Sequence, residues 1–62
     1  MEKLLLAIPE AAQVLGVGRS RLYELMADGD VESVHIGRRR LVPADALEAY
    51  ARKLRDEQRV AQ

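Results

Sequence analysis

Apolar positions along this chain of 62 residues change period several times, and each change marks an element. Residues 1–7 form an apolar lead-in around Leu4-Leu5-Leu6, which reads as a short strand or a strap across the core. Pro9 suits a first helical turn, where its missing N–H is not needed. A helix over 9–15 follows, with Ala12 and Leu15 turned inward, and Gly16-Val17-Gly18 breaks it. A second helix over 19–27 carries Leu22 and Leu25 three apart, and Gly29 is placed to stop it. Val34 and Ile36 alternate around His35. Residues 31–36 and 40–42 therefore read as two strands joined at Gly37, a hairpin over 33–43. Leu41 and Val42 are adjacent, and alternation does not decide which of them turns inward. Pro43 ends the hairpin. Leu47, Tyr50, Ala51 and Leu54 then repeat at i, i+3, i+4 and i+7, which predicts an amphipathic helix over 44–55. Arg55-Asp56-Glu57-Gln58-Arg59 loses that period, so residues 56–62 are expected to be a frayed tail behind a single domain over 1–55.

This order of elements predicts a small, mainly α fold with one β-hairpin, a winged helix-turn-helix. A chain so short buries only about 60% of its unfolded surface. With no Phe, Trp or Cys, its core must rest on nine leucines, eight Val or Ile residues and many alanines. The composition also excludes chemistry. There is no cysteine for a disulfide or thiolate site, and the single His35 lacks the partners a metal centre needs. No nucleophile with a base, no carboxylate constellation and no phosphate-cradling glycine loop is legible, so no enzyme, cofactor or small-molecule substrate is expected. No apolar run reaches membrane-spanning length and no export signal is present, which makes a cytoplasmic, nucleoid-associated protein the expectation.

The spacing in residues 11–25 is that of two helices meeting at a tight corner. Ala12 is small enough to let them approach, Val17 plugs the corner, and Leu22 and Leu25 face Leu15. An ordinary helical corner has the same spacing. In a helix-turn-helix, the second helix enters the major groove of DNA by its N-terminal end. At about 100° per residue, burial of Leu22 and Leu25 leaves Ser20, Tyr23 and Glu24 on the free face, flanked by Arg19 and Arg21. An arginine there can meet a guanine bidentately or clamp a phosphate, Tyr23 can donate to a phosphate, and Glu24 can accept from a cytosine. The plainer reading of Arg19 and Arg21 is a solvated pairing with Glu24 and Asp28.

Charge sharpens this picture and also complicates it. Ten basic and ten acidic residues cancel, where DNA-binding domains usually carry a basic excess. The distribution matters more than the sum. Arg38, Arg39 and Arg40 gather at the hairpin tip, and the acids gather around Asp28, Asp30 and Glu32. Three adjacent arginines repel one another and serve no core, so a polyanion partner accounts for them. A narrow minor groove suits such side chains. A charged hairpin that only guards a sheet edge is the alternative. Arginine outnumbers lysine eight to two, as directional recognition favours.

The run Leu15-Gly16-Val17-Gly18-Arg19-Ser20-Arg21-Leu22-Tyr23-Glu24-Leu25 is followed by Ile36-Gly37-Arg38-Arg39-Arg40-Leu41-Val42-Pro43 and Ala46-Leu47-Glu48-Ala49-Tyr50. Together these resemble the excisionase-type helix-turn-helix family, small relatives of the MerR-like winged-helix fold, over roughly residues 4–54. The resemblance implies a recognition helix over 19–27, a wing at residues 37–40 and a supporting third helix. It further implies double-stranded DNA as partner. Phage excisionases, which set the direction of recombination, bind and bend attachment-site DNA and direct an integrase to excision. Other members regulate transcription or form the DNA-binding part of larger proteins. Two departures affect capping: Gly18 stands where the family commonly has Ser, and Ala7 and Ile8 stand where a Ser or Thr cap is common.

The short length favours an excisionase over a piece of a larger regulator. Protein-interaction modules offer a different class, in which the lead-in and third helix make contact and the arginines stay in water. Adjacent protomers are expected to dock head to tail on DNA through the acidic residues 28–32 and the basic Arg52-Lys53-Arg55, as an open array. The tail over 55–62 is a candidate integrase contact.

Overall fold

The structure, a computed structural model, describes residues 3–60. In chain order it contains β1 (Leu5–Ala7), α1 (Ile8–Leu15), α2 (Arg19–Ala27), β2 (Val34–Ile36), β3 (Arg39–Pro43) and α3 (Ala44–Val60). The three strands form one antiparallel sheet in the order β1-β3-β2. This is the winged helix-turn-helix expected from the pattern, and the apolar lead-in is its first strand. Residues 1 and 2, the start of that lead-in, and residues 61 and 62, the end of the tail, lie outside the described part.

The central place of β3 settles the ambiguity at Leu41 and Val42, because both are buried. Register places Val42 opposite Leu6, and both join the main core with the helices. Leu41 points to the other face, between its register partners Ala7 and Val34. A strand with a neighbour on each side can bury both faces, so neither residue has to be the outward one. Ile36 departs from expectation. It shares with Val34 and Leu41 the face turned away from the main core, and at the tip of the wing it is 58% exposed.

Each helix boundary has a local cause. α1 begins at Ile8 with Pro9 in its first turn. Ala7 has no side-chain oxygen, so only half of a capping box forms: the Ala7 N–H donates to Glu10 Oε1 at 3.2 Å. α1 ends at Gly16, whose φ of 86° is left-handed. There the Gly16 and Val17 amides both donate to the Ala12 carbonyl, at 2.9 and 3.0 Å, which closes the helix end and turns the chain sharply into α2. Ala11 and Ala12 are both buried; with side chains that small, α1 and α2 approach closely. Leu22, Leu25 and Met26 of α2 complete the core with Val31 and Leu47.

α3 is longer than the pattern predicts. It runs to Val60, so residues 56–60 continue the helix where fraying is expected. No Gly or Pro interrupts it, and Ala, Leu, Arg, Lys, Glu and Gln all favour helix. Leu47 is buried and Tyr50 packs against the core, while every side chain over 51–59 is exposed. The second half of α3 thus leaves the body. The apolar period fades because packing ends, not because the helix does. At its start, the Ala44 amide donates to the Leu4 carbonyl at 2.8 Å, tying α3 to the segment before β1.

Candidate nucleic-acid interface

Burial of Leu22, Leu25 and Met26 on one side of α2 leaves Arg19, Ser20, Arg21, Tyr23 and Glu24 exposed on the other. The wheel drawn from the sequence is therefore the one the helix adopts. Gly18 is the N-cap, with extended backbone and no side-chain hydrogen bond. The first amides of α2 consequently lack a side-chain acceptor, a setting that favours anions.

The wing presents Arg38, Arg39 and Arg40, all exposed. A two-residue turn, Gly37-Arg38, joins β2 to β3. Gly37 has φ 61° and no non-glycine residue among the described residues has positive φ, the pattern of a type II′ hairpin turn. The three arginines do not act as one cluster. Arg38 sits in the turn, and strand alternation sends Arg39 and Arg40 to opposite faces of the wing. Arg40 is also anchored: its Nε donates to Ser33 Oγ at 3.0 Å. Ser33 was not singled out from the sequence, since only the strand register brings it beside Arg40. His35, opposite Arg40 in that register, is exposed.

Ion pairs divide the basic residues further. Arg21 Nη1 donates to Glu24 Oε1 at 2.8 Å. Hydrogen bonding to Glu24, then its charge, holds the Arg21 guanidinium still more firmly protonated than usual. The solvated pairing weighed from the sequence is thus present at Arg21, with Glu24 and not Asp28. Arg19 has no hydrogen-bond or ion-pair partner among the described residues. At the start of α1, Lys3 Nζ contacts Glu10 Oε2 at 2.8 Å. The hydrogen bond from Lys3, then that from the Ala7 amide, holds the Glu10 carboxyl below its ordinary range, with a smaller contribution from Arg39.

One expectation about charge placement needs correction. The acidic residues 28–32 and the basic stretch on α3 are not separate ends of the molecule, because Lys53 Nζ lies 3.5 Å from Asp30 Oδ1. A surface cleft of about 540 Å³ brings α3 to α2 as well, with Arg21, Tyr50, Leu54 and Arg55 along its walls. Exposed residues of α3 therefore share an open cleft with α2 without packing against it.

An outward recognition helix, a tight glycine corner and an arginine-tipped wing define the class. Residues 5–55 match the family described as "Helix-turn-helix domain", and the chain belongs to that family. Among curated proteins, it is similar to a "Probable excisionase" of Saccharopolyspora erythraea, 46% identical over 59 residues. The match covers 95% of this chain and 60% of that protein, so the chain spans about 60% of its relative's length. No solved structure matches the chain.

Proposed function

We propose that the protein is a non-enzymatic, sequence-specific DNA-binding protein of the excisionase type, of the MerR-like branch of winged helices. In this reading α2 enters the major groove through Arg19, Ser20, Arg21, Tyr23 and Glu24. The wing arginines, Arg38, Arg39 and Arg40, follow the backbone or an adjacent minor groove. The observation that carries it is the single exposed polar face of α2, opened by two arginines and unneeded by the core. Similarity to a probable excisionase supports the finer role: binding and bending attachment-site DNA and directing an integrase to excision. Neighbouring protomers would fill adjacent sites cooperatively. With Lys53 held by Asp30, Arg52 and Arg55 are the basic residues left for such a contact.

Excision reconstituted with the cognate integrase and attachment-site DNA tests this role. Excision products that depend on this protein, together with position-dependent mobility of bent complexes, are the expected result. Tight, specific binding without any effect on excision would reassign the protein to transcriptional regulation.

A further inference from the structure

Glu24 lies within the exposed α2 face and Arg21 on its flank beside α3, and the two are coupled by the 2.8 Å contact between Arg21 Nη1 and Glu24 Oε1. Both side chains are more than half exposed, so the pair adds little to the stability of the fold. A carboxylate on a face turned toward phosphates also weakens general attraction to DNA. Its geometry gives it a different use. Holding Nη1 leaves the Nε–Nη2 edge of the guanidinium intact, a planar fork of two donors. The O6/N7 edge of guanine in the major groove accepts such a fork.

The other four candidate arginines lack this combination. Arg40 commits its Nε to Ser33 and so loses that edge. Arg19, Arg38 and Arg39 have no hydrogen-bond partner among the described residues, which suits phosphates, where charge matters more than orientation.

We propose that Arg21 and Glu24 work as one reading unit: Arg21 contacts a guanine, and Glu24 is the positioning residue that orients it and reads no base itself. This rests on the DNA-binding reading above and adds a base identity to it. It also replaces the cytosine contact expected of Glu24 from the sequence.

The test is selection of the full chain on a random duplex pool, followed by Kd on the selected site with each guanine in turn replaced by adenine. Wild type should lose about fivefold or more at one guanine, as for a bidentate arginine contact. R21A should abolish that preference. E24A should reduce it to about twofold or less and raise affinity for unrelated DNA, since a negative charge is removed. E24Q should fall between, and E24A added to R21A should change the preference no further. An E24A protein with wild-type discrimination, or one altered at a different base pair from R21A, would overturn the proposal. Wild type selecting no motif at all would instead overturn the DNA-binding reading beneath it.

Discussion

Lys53 on the protruding half of α3 reaches back to Asp30, with Nζ 3.5 Å from Oδ1, so the loop that follows the recognition helix is tethered to the third helix. Both side chains remain more than a third exposed, which limits the strength of the tether. K53M or D30N should each cost less than about 1 kcal/mol in urea unfolding, with the loss shrinking as salt is added. A salt-independent loss of about 3 kcal/mol, of the size expected for a buried pair, would contradict this assignment.

Leu22 is fully buried at the centre of the face α2 turns to α1. L22A should cost about 2–5 kcal/mol. In a domain of this size each kcal/mol lowers Tm by roughly 4–8 °C. Thermal melts followed by circular dichroism would show the drop, and a shift under about 4 °C would mean the helix pair is not packed as described.

The two glycines of the corner should respond in opposite directions. Gly16 has φ 86°, and nothing lies within 4 Å of an added Cβ. The cost of G16A is therefore conformational, about 1–2 kcal/mol, and G16N should cost less. Gly18 has ordinary φ at an N-cap that lacks an acceptor, so G18S should stabilise by a few tenths of a kcal/mol. Chemical denaturation of the three variants checks this. Stabilisation by G16A would refute the left-handed corner.

Glu10 supplies a pH signature. Its carboxyl is held below its ordinary 4.5, first by Lys3 and then by the Ala7 amide. A depressed folded pKa gives stability that is present above the unfolded value and lost as pH falls through the folded one. Wild type should therefore melt above E10Q at neutral pH, and the gap should close on acidification below about 4.5. A gap that widens with acid would contradict the assignment.

Most of this architecture is legible in the chain because local signals agree with the fold. Residues 19–27 form the second helix as expected, since the leucine spacing and the flanking glycines mark both ends. The fate of Leu41 and Val42 was not legible, because it depends on β1 pairing with β3 across more than thirty intervening residues. A hairpin read by itself leaves one face of β3 open, whereas in the three-stranded sheet Ala7 and Val34 flank Leu41 and bury it away from the main core. Helix length beyond Leu54 was missed for the converse reason: hydrophobic period reports packing, and α3 continues after its packing partners end. The candidate interface was legible as a set of residues but not as an arrangement. Sequence shows three consecutive arginines, while register sends Arg39 and Arg40 to opposite faces and brings Ser33 to Arg40.

The central claim, that α2 and the wing form one DNA-binding surface, is tested most directly by gel-shift titration on attachment-region DNA. It should be run at two salt concentrations with scrambled competitor, using wild type, R19A and R38A. Wild type should give discrete bands that survive competitor. R19A and R38A should each weaken all sequences alike and lower the salt slope by about one. Binding seen only at low salt, erased by competitor and indifferent to both substitutions, would contradict the account and point to a protein-interaction module.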